Sequence, residues 1–464
     1  MEFPEIDAQL AAARKAQAEI ATYSQDKIDD MVRALAWAIF RDDHARPLAE
    51  MAVEDTGLGN VADKVTKNKR KTYGTLCDLL ATKTVGMVES DPARGLTTYY
   101  KPVGIVGTLT PSTNPAATPA NQALMAIKGG NALIVCPSPG GLRTAKTLKG
   151  YFDEALSAIG APVDIFQVVD GPINFDKATY LSKAVDLILV TGDQVNVRRG
   201  YSSGTPCIGV GKGNVPVIID ETAALDDAAK KIRLSKTFDN ATSCSSENAV
   251  IIHDAVYDDA LRALQDAGGY LASPEEVAHI EEVLFDGGKL NRFAVGKSID
   301  QLDALFGMDG KLSGKAFIIA PQDRIGPEAP MSGEKLSLVL AAYRARDFDQ
   351  AMDMVHAILD HEGIGHSVGI HTANTDHAQR LAADTKVARV LVNQAHTFGN
   401  GGGFDNALPF TLSMGCGTWA GNSISDNLSI KNFVNKTVLV QTYDKQFPQK
   451  PVAFGAFYEA GLDS

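Results

Sequence analysis

Two short segments hold the residues best suited to covalent chemistry. In NATSCSSEN, Cys244 stands among Ser, Thr and Asn side chains just before an apolar, strand-like run. Local residues leave two readings of it. It is a small buried thiol, as free cysteines usually are, or a nucleophile whose thiolate attacks an electrophilic carbon. The other segment is PSTNP (111–115), at the end of the strand-like run KPVGIVGTLT (101–110). Ligands bind at that end of open parallel sheets. Pro111, Asn114 and Pro115 suit a Pro-bounded turn, or the Asn114 amide donates to a developing oxyanion.

These residues need a scaffold. The first ~90 residues read as helices, with Ile28, Met31, Val32, Leu35 and Ile39 on one apolar stripe. From Tyr99 onward, brief β-rich runs alternate with amphipathic segments: 101–110, 131–136, 163–169 and 185–190. Between them, Thr118-Pro119 offers an N-cap and first-turn proline for a helix ending near Lys128. Gly129-Gly130 can close that helix, and a second helix runs from about Arg143 to Ile159. This alternation predicts an α/β fold with a parallel, doubly wound sheet suited to a dinucleotide. A second α/β series starts near Val215, and the two units imply a cleft between them.

The composition narrows the function classes. The 464 residues carry a net charge of -12, which argues against nucleic acid as partner. The five cysteines, at 77, 136, 207, 244 and 416, lack metal-ligand spacing and do not form a disulfide framework, so no metal is expected. No apolar run reaches the ~18 residues of a membrane span. The expected setting is cytoplasmic, without membrane contact. Cys207 and Cys416 read as structural, and the run Lys67, Lys69, Arg70, Lys71 reads as a solvated helix face.

PSTNP, TGD (191–193), GVGKGNVP (209–216), the cysteine turn and GEKLS (333–337) occur in the order that resembles the aldehyde dehydrogenase superfamily. SCSSENAVI, GEKLSLVLA, GIGHSVGIH and LSMGCGTWAGNSIS look like its CoA-acylating branch. That branch includes the aldehyde half of bifunctional aldehyde-alcohol dehydrogenases and acylating enzymes for sulfoacetaldehyde. The resemblance implies a Rossmann-type cofactor domain (1–93 and 103–213) and an α/β catalytic domain (214–430). It also implies a small β oligomerisation arm (94–102 and 431–464), pairing Leu96–Lys101 with KTVLVQT, in a homodimer or homotetramer.

On this resemblance Cys244 is the nucleophile, Asn114 the oxyanion donor and Glu334 the carboxylate for the nicotinamide ribose. His366, in GIGH, orients or deprotonates the incoming thiol, or is a structural histidine bonded to backbone. Thr110, Pro111, Thr191, Gly192, Asp193, Val210 and Gly211 surround the cofactor. Where hydrolytic relatives open the GVGKGN segment with a water-activating glutamate, Val210 or its glycine neighbours stand here. In CPSPGGLR, Cys136 and Pro139 replace a lysine and an acidic residue of those relatives, leaving NAD or NADP open. Ser138 and Arg143 are the candidates to meet a 2′-phosphate, with Arg143 otherwise facing solvent. The expected reaction joins an aldehyde to CoA, preferably sulfoacetaldehyde, with acetaldehyde or succinate semialdehyde as runners-up. A catalytically silent assembly subunit and a hydrolytic dehydrogenase are the competing classes. An anionic aldehyde would need donors near Cys244, for which GGGFDNALPFT with Asn406, and His396 nearby, is the candidate wall.

Overall fold

The computed structural model describes residues 2–192 and 194–459, so Asp193 lies outside the described residues. Four helices come first: Pro4–Ile20, Gln25–Phe40, Asp42–Thr56 and Val61–Leu80. Side chains start two of them. Ser24 accepts from Lys27 N, and Asn60 accepts from Asp63 N. The stripe of Ile28, Met31, Val32, Leu35 and Ile39 is buried, and its helix packs on the helices Val61–Leu80, Ala117–Lys128 and Leu142–Ala158.

That sheet has five parallel strands, ordered Phe166–Val168, Ala132–Pro137, Ile105–Thr110, Leu187–Thr191, Cys207–Val210. The chain enters at the centre, moves out one way, then crosses to the other side. The ends of Ile105–Thr110 and Leu187–Thr191 therefore flank the switch point where such sheets hold ligands. The expected doubly wound sheet is present. One strand differs from the sequence reading, because 101–110 is not continuous. Gly104, at φ +124, breaks it where a Cβ would meet Asp186 Oδ2 at 2.3 Å, and the Asp186 carboxylate accepts from Ile105 N at 2.7 Å. The helix expected at Thr118 begins at Ala117 without a side-chain cap. Thr118 Oγ1 is buried with no partner among the described residues.

The second sheet has seven parallel strands, in the order Gly269–Leu271, Phe317–Pro321, Val339–Ala345, Glu247–His253, Val215–Ile219, Val368–His371, Val390–Val392. Its central strands are buried on both faces, as parallel sheets require. A third, antiparallel sheet joins Leu96–Pro102 to Val434–Val440, with Val438 opposite Thr98. Met87–Asp91, read from sequence as part of the helical segment, adds its third strand. Among the described residues, no helix is long and apolar enough to cross a membrane.

Candidate active site

The turn that presents Cys244 is strained and heavily tied. Asp239, Asn240 and Ala241 all take left-handed conformations, at φ 51, 52 and 59. Non-glycine residues avoid that region unless their surroundings impose it. Here the Asp239 carboxylate accepts from Thr242 Oγ1 (2.7 Å), Lys64 Nζ (3.0 Å), Lys67 Nζ (2.5 Å) and Asn60 N (3.0 Å). Asp239 N in turn donates to Asp63 at 2.8 Å. Helix Val61–Leu80 thus pins the strained turn from outside the seven-stranded sheet.

This corrects the reading of the basic run. Lys67 and Lys71 are only 5% and 8% exposed. Lys64, Lys67 and Lys71 recur at helical spacing, and that face of the helix turns inward. Lys67 Nζ also donates to Asn114 Oδ1 at 2.7 Å. The amide orientation is thereby assigned: Oδ1 is occupied, and Nδ2 is the donor, with one hydrogen on Thr113 Oγ1 at 3.3 Å and the other left over. Lys71 donates to the Gly401 carbonyl at 2.6 Å, and burial lowers its pKa to about 7.

Behind Cys244 runs a chain of side chains that alternate imidazole and hydroxyl. His366 Nε2 lies 3.3 Å from Cys244 Sγ, and His366 Nδ1 lies 2.8 Å from Ser367 Oγ. Ser367 Oγ lies 2.9 Å from His396 Nε2. One set of protons satisfies all three contacts: thiol to His366, His366 to Ser367, Ser367 to His396. Burial and the Arg389 guanidinium hold His366 well below the usual imidazole range, and His396 at about 3. Both rings are neutral acceptors at physiological pH. Arg389 donates to the His366 carbonyl at 2.9 Å and to Gly415 O at 2.8 Å, fixing the backbone that carries the first ring. Burial pushes the Cys244 thiol up to about 12; Glu334 and Cys416 add to the rise and Arg389 opposes it.

Two glycines bring the surrounding loops into contact. A Cβ on Gly213 would meet Cys244 O at 2.1 Å, so the GVGKGN loop needs glycine to lie on the cysteine turn. Gly365, at φ +84, lets the GIGH loop approach within 2.0 Å of Cys416 O measured from the same built position. Asn422 then joins Gly211 N and Cys416 N through its Oδ1, at 3.2 and 3.0 Å. Cys416 is a buried turn residue, as expected, and lies behind Gly211 of the cavity wall. Cys207 is half-buried beside Gly200.

One cavity of about 510 Å³ brings together Cys244, Asn114, Thr191, Val210, Gly211 and Glu334, with Pro111 and Gly192 at its margin. Val210 and Gly211 form an apolar stretch of its wall with no carboxylate. Glu334 is buried, which raises its pKa to about 8 against the pull of Lys212. A connected cleft of about 500 Å³ is lined by Thr110, Pro111, Ser138, Thr191, Gly192 and Arg199. Thr110 Oγ1, Ser138 Oγ and Arg199 Nε are buried there without a partner among the described residues. Unpaired polar atoms at the switch point of a parallel sheet fit a dinucleotide.

Arg143 does not join that cleft. It opens onto a separate depression and pairs with Glu54 (2.6 Å) and Asp55 (2.6 Å), so its charge is already neutralised. The expected wall is there in part, since Gly401 and Thr411 line the cavity, but its named donors are elsewhere. Asn406 spends its amide on Gln394 and Gly399 O, and His396 sits behind His366 rather than in the cavity. Sequence reasoning missed Lys67, Asp239, Ser367, Arg389 and Arg199. Motif order offered no signal for the first two, which meet across 172 residues.

A sequence profile described as the aldehyde dehydrogenase family matches residues 2–272. The chain is 45% identical over 454 residues to a sulfoacetaldehyde dehydrogenase (acylating) of Cupriavidus necator, covering 98% of this chain and 92% of that one. Among solved structures, an acetylating aldehyde dehydrogenase from Geobacillus thermoglucosidasius superposes with a TM-score of 0.92 at 33% identity, covering 96% of this chain and 98% of that one. A propionaldehyde dehydrogenase of Rhodopseudomonas palustris, solved with bound propionyl-CoA, gives 0.84 at 25% identity over 94% of each chain.

Proposed function

The chain belongs to the aldehyde dehydrogenase family, and from that premise we propose that it is a CoA-acylating, NAD(P)-dependent aldehyde dehydrogenase acting on sulfoacetaldehyde. The observation that carries this reading is the Cys244–His366 contact of 3.3 Å in a cavity that also holds Asn114 and has the apolar Val210 in place of a base. The aldehyde identity draws on the similarity to the Cupriavidus necator relative, and CoA on the propionyl-CoA complex of the Rhodopseudomonas palustris enzyme.

Cys244 attacks the aldehyde carbon as its proton passes to His366 Nε2. The sulfur–carbon bond forms and the carbonyl electron pair moves to oxygen. Asn114 Nδ2 and the Cys244 backbone N–H face that oxyanion. An oxidised nicotinamide, when bound, would supply the hydride acceptor needed for a thioester to form on Cys244. Thr110, Pro111, Ser138, Thr191 and Gly192 would hold the dinucleotide, Val210 and Gly211 would back its ring, and Glu334 would take the ribose hydroxyls. His366, whose lowered pKa favours deprotonation, releases the first proton to solvent and then accepts that of the CoA thiol, which it returns to Cys244 as the cysteine sulfur leaves. The CoA sulfur displaces Cys244, releasing acyl-CoA.

Residues 1–93 and 103–213 form the dinucleotide-binding domain in this reading, and 214–430 the catalytic domain. The arm of 94–102 and 431–464 joins subunits into a homodimer or homotetramer; exposed Val438, Leu439 and Val440 support such a role. Five free cysteines suit a cytoplasmic setting. The test is direct. With sulfoacetaldehyde, CoA and NAD or NADP, the protein forms sulfoacetyl-CoA and reduced nicotinamide, and Cys244→Ala abolishes both while binding the dinucleotide. Turnover by Cys244→Ala would overturn the assignment.

A further inference from the structure

The helix Val61–Leu80 brings more cations to the cavity than the catalytic turn uses. Lys64 and Lys67 share Asp239. Arg70 and Lys71 also line the cavity, and neither forms an ion pair or hydrogen bond with a carboxylate among the described residues. Arg70 Nε is buried without a partner. Asp405 attracts its guanidinium only from beyond ion-pair distance. Three rings hold the guanidinium in place, with Phe398, Phe404 and Phe410 centroids 5.3, 4.8 and 5.8 Å away. A half-buried, oriented and unpaired guanidinium beside a buried ammonium is an incomplete ion pair. The missing member is an anion, because burying uncompensated charge is costly.

We propose that Arg70 and Lys71 form the subsite that holds the sulfonate of the aldehyde substrate while its carbonyl faces Cys244 and Asn114. The inference rests on the proposed reaction for its substrate and adds the residues that select it. The guanidinium fork engages two sulfonate oxygens side by side, and the Lys71 ammonium takes the third. Lys67, Arg70 and Lys71 share a helix face at i, i+3 and i+4, so oxyanion positioning and anion binding come from one rigid element. Burial lowers the Lys71 pKa to about 7, and an adjacent anion favours its charged form.

Two measurements separate this subsite from the reaction itself. Ethanesulfonate, which lacks the aldehyde, should protect Cys244 of the wild type from iodoacetamide, and propionate should do so more weakly. Arg70→Gln should weaken ethanesulfonate protection by about tenfold to a hundredfold, the effect of removing a hydrogen bond to a charged group. Arg70→Lys, which keeps the charge but not the fork, should lose less. The ratio of kcat/KM for sulfoacetaldehyde over propionaldehyde should fall by a similar factor in Arg70→Gln. Equal protection of wild type and Arg70→Gln, or an unchanged ratio, overturns the subsite. Propionate protecting better than ethanesulfonate replaces sulfonate by carboxylate and also overturns it. Arg70-dependent protection by ethanesulfonate without turnover of sulfoacetaldehyde supports the subsite and defeats the proposed reaction.

Discussion

Lys67 Nζ lies 2.7 Å from Asn114 Oδ1 and 2.5 Å from Asp239 Oδ2, so one buried ammonium ties Asn114, the proposed oxyanion donor, to the strained turn before Cys244. Losing Lys67 leaves Asp239 paired with Lys64 but leaves the Asn114 amide held only by the long bond to Thr113 Oγ1. Lys67→Met should lower kcat by about 10², the order expected when a catalytic group is misplaced. Asn114→Ala should cost about 10²–10³, as for an oxyanion donor, with KM changed less than kcat. If Lys67 acts through Asn114, adding Lys67→Met to Asn114→Ala should cost less than about threefold more. Full additivity in kcat would reduce Lys67 to a structural role.

The thiol and imidazole are both neutral in the free enzyme, since burial raises Cys244 to about 12 and lowers His366. The thiolate is the reactive form, so the alkylation rate must climb as pH rises towards the thiol pKa. Without dinucleotide, iodoacetamide should label Cys244 about tenfold faster per pH unit between pH 7 and 9, with no plateau. A plateau near pH 7 would reveal a preformed thiolate–imidazolium pair.

Much of the site was legible because its motifs are local. Cys244, Asn114 and the GVGKGN loop sit in short segments whose residue types match one chemistry, and the sheets bring them to one cavity. The two parallel sheets followed from brief apolar runs with turn residues between them. The basic run failed as a sequence signal for a physical reason. Charge patterning describes exposed helix faces, and nothing near residue 67 reveals a carboxylate 172 positions away. Arg143 failed similarly, because Glu54 and Asp55 compete for it from a neighbouring helix. Gly104 alone could not announce that a continuous apolar run changes sheets there.

In the proposed function, cofactor selection turns on which cation faces the cleft lined by Ser138. Arg143 is exposed and doubly paired, whereas Arg199 lines the cleft with Ser138 and stacks 3.6 Å over Phe175. Arg143→Ala should leave the ratio of NADP to NAD efficiency unchanged. Arg199→Met should lower NADP efficiency relative to NAD by about tenfold or more, from lost hydrogen bonding to a charged phosphate. Steady-state kinetics with both dinucleotides decides; a ratio moved by Arg143→Ala alone would restore the first assignment.

CoA, not water, should accept the acyl group. Hydrolysing a thioester at neutral pH needs a positioned base, because water is a weak nucleophile. Val210 supplies none, and Glu334, in the same cavity, stays largely protonated below about pH 8. A thiol needs less help, since about a few per cent of it is already thiolate at pH 7. Without CoA the protein should release a burst of about one reduced nicotinamide per active site and then turn over slowly, while CoA restores steady turnover. Val210→Glu sharpens the argument. Val210 is buried, so the new carboxyl should rise as Glu334 does and act as a base only once ionised. Its CoA-independent oxidation should therefore appear above about pH 8 and be small at pH 7. Stopped-flow absorbance of the reduced nicotinamide, with and without CoA, measures both phases. Sustained CoA-independent oxidation by the natural sequence would place the protein in the hydrolytic branch.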